Sequence, residues 1–437
     1  MEADSDDEIY SRDSQQSSDA EAGDPSPYSE EEYGLDETLQ PFSNATPSSL
    51  PPSRKSFAED CKTYDIVPLV AAIHACHIHS LDATRNMRWV FTGGEDGFIR
   101  KYDFFSSMCG KTLLTQNQKH TQVESVQKAG VISSYWENEE IPVSPPVTAK
   151  PEKPDGVTEE DATQNVEEPP LPDLKMSPVY SLAVQSEAIW LLSGLESGAI
   201  NLFTVRHEEG RCHHVMRRHK QPVSVLKITS DETSFVSGSW DKTILHWDLN
   251  TGQVVRDSPT SLETVFEESD NAIINSRDIL LTTSIDGNCL VWDKRSANLI
   301  PRKLPLPEKT PPWCLSACWS ADGNKIYSGR RNGTVDEWDF ASGKFIRSFK
   351  MPSNSGPVSS VASMPNGKHI VCASTDNIRL WNVGDDSEAI KSIVPFLIVP
   401  GHHGGTISQI LIDPDCRYMI TTSGNRGWEG ASTETAL

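Results

Sequence analysis

No cysteine pair at CxxC spacing, no phosphate-cradling glycine loop and no long apolar run occurs in this sequence. The nine cysteines stand singly, which is the usage of an intracellular chain with thiols acting as small core residues. The longest apolar run, Ile66 to Ile78, is broken by Pro68, His74 and His77 and is too short to span a bilayer. The opening Met-Glu-Ala-Asp-Ser-Asp-Asp lacks the basic and apolar regions of a signal peptide, so a soluble intracellular protein is expected and the sequons at Asn44 and Asn332 carry no glycan. Positive charge is also scarce: 39 Lys and Arg face 62 Asp and Glu, a formal charge of −23. Arg217, Arg218 and Lys220 do not make the basic stripe that nucleic-acid binding requires. The acid excess is concentrated. Residues 1–37 hold 14 acids against Arg12 alone, and 137–175 hold 11 against three lysines, which leaves the rest of the chain nearly neutral. Acidic, aromatic-poor segments of this kind read as disordered appendages that attract a basic protein or only keep the chain soluble.

What the chain does contain is a repeat. The run Ser237 to Gly252 reads as strand, tight turn, strand and turn, and its closing aromatic-acid pair recurs as Tyr102-Asp103, Phe203-Thr204, Trp247-Asp248, Trp292-Asp293, Trp338-Asp339 and Trp381-Asn382. The last four intervals are 44, 45, 46 and 43 residues. This is the period and signature of WD repeats, each a four-stranded blade of a β-propeller. The expected fold is therefore all-β: one seven-bladed WD-repeat propeller over 61–437. Outside it lie a disordered acidic N-terminal region, 1–60, and a disordered, acidic and Pro-rich insertion at about 119–175, after a first blade at 74–118. The apolar segment Tyr64 to Ile73 is placed to supply the strand that closes the ring. Only nine residues follow Trp428, so the last blade is expected to lack its later strands.

Within the best-formed repeat, WD proteins use His219, Ser237, Asp241 and Trp247 as a hydrogen-bonded chain, with Asp241 tying down the turn. Ser, His and Asp also spell a hydrolase triad, but parts of the set recur wherever a blade needs them (Thr92/Asp96/Tyr102, Thr282/Asp286/Trp292) and no nucleophile elbow accompanies any copy. His74, Cys76, His77 and His79 crowd like metal ligands, yet alternation along a strand sends His77 and His79 to one face and Cys76 to the other. No catalytic residue, metal or cofactor is expected. The residue just before each turn Asp faces the top of a WD propeller, which makes Glu95, Glu196, Trp240, Ile285, Arg331 and Thr375 the candidate partner-binding positions. Trp240 and Arg331 lead them as residue types enriched at hot spots. Trp240 could equally cover only its own turn.

The runs Gly93–Phe104, Gly238–Gly252, Arg330–Phe340 and Ser423–Gly430, with the acidic leader and the acidic insertion, resemble the fungal WD-repeat subunit of the SAGA transcriptional coactivator complex. The resemblance covers about 61–430. It implies a nuclear, non-enzymatic regulator of RNA polymerase II transcription that contacts TATA-binding protein and other SAGA subunits, without sequence-specific nucleic-acid binding. The short chain end departs from that pattern. Two other classes stay open, a substrate receptor for a ubiquitin ligase and a trafficking scaffold, although no F-box-like helix precedes the ring.

Overall fold

A turn with a left-handed residue, repeated at fixed spacing, shapes this molecule. The computed structural model describes residues 56–119, 125–141, 175–259, 266–268, 279–284, 286–293, 301–307, 310–384, 396–401, 405–424 and 433–436. In six repeats the first two strands are joined by a turn whose φ is positive at Met87, Ala188, Glu232, Gly323, Gly367 and Cys416. In five, the next turn does the same one residue after the turn Asp or its substitute, at Gly97, Gly198, Lys242, Gly287 and Gly333. At Gly198 a Cβ would lie 2.5 Å from the His219 carbonyl oxygen, so glycine is the residue that fits. The sixth repeat, one residue shorter between Asp376 and Trp381, closes this turn by Ser374 N–H donating to Asn377 at 3.1 Å, with no left-handed residue.

Among the described residues, the strands between these turns build six four-stranded sheets, one five-stranded sheet and a two-stranded ladder. The sheet holding Trp247 is representative: Val223–Ile228, Ser234–Ser239, Thr243–Asp248 and Gln253–Pro259 pair antiparallel in chain order. Its first strand carries a bulge between Val223 and Val225. The same irregularity recurs at Ile78/Ser80, Cys314/Ser316, Val358/Ser360 and Ile407/Gln409. A bulge at one register sharpens twist, which is what packing sheets face to face around an axis requires.

Apolar clusters join each sheet to the next. Phe91, Ile99 and Trp136 of the first sheet meet Val179, Leu182 and Phe203 of the second; Ile200 and Met216 meet Phe235 and Trp247; Val236 and Ile244 meet Leu280 and Trp292; Leu281 and Val291 meet Ile326 and Trp338. Tyr327 and Val335 meet Ile370 and Trp381. Val371 and Leu380 then meet Ile407, and Ile420 meets Val70, Leu81 and Tyr102, which returns the packing to the first sheet. The fold is an all-β, WD-type propeller.

Three expectations need correction. The first sheet takes its fourth strand, Ile132–Glu137, from inside the region expected to be a disordered insertion. Trp136 is the reason: it is buried between Phe91 and Phe203, with centroids 6.4 and 6.2 Å away, and burial of an indole outweighs the Pro/Glu-rich composition around it. Glu139–Glu140 then pairs with Lys175–Met176, so this ladder pins both ends of the remaining segment, and 142–174 lies outside the described residues. Second, of the leader 1–60, residues 1–55 lie outside the described set, but Ser56–Asp60 is a short helix with Ala58 buried. Cys61 and Tyr64 continue it onto the sixth sheet, where the Cys61 carbonyl accepts from Asn366 at 2.9 Å and Tyr64 meets His369 edge-on at 5.4 Å. Third, the last sheet is not short of strands. Val70–His74 pairs with Thr433–Ala436, which pairs in turn with Met419–Ser423. Thr433–Ala436 takes the place between Met419–Ser423 and Val70–His74.

Candidate functional site

Two sets of side chains stand out, one inside the blades and one on the rim. In the third sheet the interior set is complete. The His219 ring lies 3.1 Å from Asp241 Oδ2 through Nδ1 and 2.7 Å from Ser237 Oγ through Nε2, and Trp247 Nε1 donates to the same Oγ at 2.8 Å. Asp241 also accepts from the Lys220 and Thr243 backbone N–H groups, both at 2.9 Å. Burial alone would raise its pKa, but these bonds and the Thr243 hydroxyl hold the carboxyl below the usual range. Ser237 has no exposed surface and its oxygen is engaged by both Trp247 and His219, so no substrate reaches it as a nucleophile.

Other sheets fill the same space differently. In the fourth, Trp292 Nε1 still donates to Thr282 Oγ1 at 2.8 Å. In the second, amides take over: Ser193 Oγ donates to Asn138 Oδ1 at 2.7 Å and Asn201 Nδ2 to the Glu139 carbonyl at 2.9 Å. In the first, the Tyr102 hydroxyl reaches His74 Nε2 at 2.9 Å, and burial with Arg100 nearby pushes the His74 pKa down to about 3. Ion pairs appear at one register, opposite Thr92, Ser328 and Cys372: Arg100 with Asp96, Asp336 with Arg330, and Arg379 with Asp376. Only the sequence rule that the residue two places before the closing aromatic, here Tyr102, Trp338 or Trp381, shares its face could have flagged Arg100, Asp336 and Arg379.

The rim positions share a backbone device. The N–H of the residue before the turn Asp donates to the loop entering the sheet's first strand, from Glu95 to His77 at 2.8 Å, from Trp240 to Pro222 at 3.1 Å and from Arg331 to Trp313 at 3.2 Å. Glu95, Glu196, Trp240 and Arg331 are exposed and Thr375 is half-buried, its hydroxyl donating to the Ser355 carbonyl at 2.8 Å. Ile285 lies outside the described residues. Trp240 does not merely cover its own turn: its ring meets Tyr180 of the preceding sheet at 5.4 Å. Arg331 stacks on Trp313 at 4.2 Å, and Trp313 itself holds φ +78. The structure thus brings Trp240 and Arg331 to one rim, each with an aromatic neighbour, Tyr180 or Trp313, that sequence reasoning did not assign to the site. His77 and His79 stack at 4.5 Å; among the described residues no cluster of three or more His, Cys, Asp or Glu is arranged to hold a metal. Among the same residues, no helix is long and apolar enough to cross a membrane.

A ring of WD-type blades with an engaged interior and a rim of exposed tips defines the protein as a WD-type β-propeller. The family model described as SPT8 beta propeller matches residues 64–265 and 257–437, and the chain belongs to that family. It is 38% identical over 459 residues to the SAGA complex subunit Spt8 of Schizosaccharomyces pombe, with 88% of this chain and 80% of that protein covered. It is also 38% identical over 455 residues to the SAGA complex subunit SPT8 of Saccharomyces cerevisiae, covering 87% and 73%. A more distant likeness, 22% over 54% of this chain, is to cilia- and flagella-associated protein 52 of Sus scrofa.

Proposed function

We propose that this protein is a non-enzymatic subunit of a SAGA-type transcriptional coactivator complex in the nucleus, where its propeller binds TATA-binding protein and neighbouring subunits and regulates delivery to RNA polymerase II promoters. The observation that carries this reading is the 38% identity to two proteins named as SAGA subunits, sustained across nearly the whole chain. We take the ring as seven blades, the five-stranded sheet being the seventh, closed by Val70–His74. The partner surface in this reading is the rim holding Trp240, Arg331, Glu95, Glu196 and Thr375, with Ile285 at the corresponding position of the fourth repeat. Its support is the placement of Trp240 and Arg331 on exposed, backbone-clamped tips. Residues such as these carry interface energy out of proportion to their number.

Affinity purification of the tagged full-length chain from cells that express it tests the assignment. Co-purification of the SAGA core is the expected result, and recovery with a ubiquitin ligase or a trafficking coat instead overturns it. The contact itself is tested by binding kinetics with purified TATA-binding protein. Deleting 1–37, net −13, should slow association and flatten its salt dependence, since exposed charges are screened beyond about 8–10 Å. Trp240→Ala or Arg331→Ala should instead speed dissociation, by about 1–2 kcal/mol.

A further inference from the structure

The rim carries a run of rings that crosses three sheets. His77 stacks on His79 at 4.5 Å, His79 meets Tyr180 at 5.1 Å, and Tyr180 meets Trp240 at 5.4 Å. Trp240 keeps 41% of its surface exposed, and Glu95 and Glu196, also exposed, flank the run. We propose that this ladder is a subsite for one arginine or lysine side chain on an exposed segment of a protein partner, the cation lying over Tyr180 and His79 between the Glu95 and Glu196 carboxylates. Its aliphatic stem lies along Trp240. The inference deepens the reading of this rim as the partner surface and rests on it.

The chemistry of each group fits a cation. Ring faces attract positive charge, and more strongly where water is partly excluded. His77 and His79 are held neutral: burial lowers both, His79 to about 4 with His77 adding to the effect, so they present ring faces rather than a repelling charge. The Tyr180 hydroxyl is pushed up first by burial and then by the negative charge of Glu196 and Glu95. Lys175 reaches Glu196 at 3.5 Å, but both side chains are about half exposed or more, and such a pair yields readily to a better partner. Lys220 and Lys242 flank the turn at the Trp240 end, so the negative end of the ladder is at Tyr180 and the occupant is oriented. The chain's own acidic segments, 1–37 and 137–175, carry the wrong sign to occupy it.

The test follows the Trp240 indole N–H, assigned by its loss in Trp240→Phe, in the nitrogen-15-labelled full-length protein. The probe is N-acetyl-arginine amide, with the neutral N-acetyl-citrulline amide as its match. A saturable shift with arginine and little with citrulline is expected, weakened about fivefold or more by Glu95→Gln/Glu196→Gln together, whose exposed positions leave folding intact. Tyr180→Leu should abolish it. Equal shifts with citrulline, or no change in the double variant, would overturn the proposal. Parallel binding to TATA-binding protein separates the two readings. An arginine response with unaltered partner binding in the double variant sustains the cation subsite and sinks the partner assignment for this rim. Partner binding lost in Trp240→Ala with no arginine response does the reverse.

Discussion

Arg330 and Asp336 give the sharpest test of how the interior is held. Both side chains are 1% exposed, and the Arg330 Nε donates to Asp336. Asp336 also accepts from the Ser348 hydroxyl, whereas among the described residues Arg330 otherwise has the Gly287 carbonyl at 3.3 Å and the Trp338 ring at 5.6 Å, with no hydrogen-bond partner there for its Nη2. Arg330→Met therefore leaves a buried carboxylate with one hydroxyl donor, and Asp336→Leu leaves a buried guanidinium with one carbonyl. Each single change should cost about 3–5 kcal/mol, the cost of an uncompensated buried charge. The pair Arg330→Met/Asp336→Leu removes both charges at similar volume and should cost less than either single change, since desolvation of the ion pair offsets much of its attraction. A loss of 3–5 kcal/mol is a large share of the 5–15 kcal/mol typical of folded proteins, so soluble yield should fall with the single variants as well. Urea unfolding midpoints of wild type, both singles and the double form the cycle. A double variant as unstable as the sum of the singles, or single changes costing under about 1 kcal/mol, would refute the reasoning.

Two further outcomes are expected. Asp241→Ala, which orphans the Lys220 and Thr243 N–H groups, and Trp247→Ala, which opens a cavity against Phe235, should each cost about 2–4 kcal/mol, while exposed Asp65→Ala costs far less; equal melting shifts for the three would contradict the role given to the interior chain. His74 is held neutral with its pKa near 3 against 6.5 unfolded, so the unfolded chain binds the extra proton between those values and stability falls as pH drops through that window; from pH 6.5 to pH 5 the loss should be about 2 kcal/mol, and unfolding midpoints of His74→Gln should show a flatter slope.

The period of turns and aromatic-acid pairs was enough to read the ring from the sequence, because strand alternation and turn chemistry are local and each repeat states them again. The interior chain at His219, Ser237, Asp241 and Trp247 was legible from the likeness to WD repeats, in a repeat that carries all four residues. What escaped was decided between distant segments. Ile132–Glu137 has only six residues, and its membership of the first sheet depends on Trp136 meeting Phe203 in another repeat. Thr433–Ala436 becomes a strand because Val70–His74 lies beside it, more than 350 residues away in the chain. The ladder from His77 to Trp240 draws on three repeats, and no spacing within any one of them announces it. The charge at Arg100, Asp336 and Arg379 was visible, but its meaning required knowing that the position opposite Thr92, Ser328 and Cys372 faces inward.

These substitutions also bear on where function resides in such a ring. The place that His219 and Ser237 take in one sheet goes to Asn138 and Ser193 in the second and to His74 with Tyr102 in the first, while Arg–Asp pairs stand inside the first, fifth and sixth. A buried polar group requires a partner of matching sign and geometry, and it does not require a particular residue type. The interior can therefore change chemistry without changing the fold, as long as each change is paired. The rim is under the opposite constraint. Its backbone is clamped at Glu95, Trp240 and Arg331 by the same N–H to carbonyl bond, which fixes where each side chain starts and leaves its identity free of the fold. A tip residue that reaches its neighbour's ring, as Trp240 reaches Tyr180, is not needed to hold the turn beneath it, and on the function proposed above it is free to serve a partner.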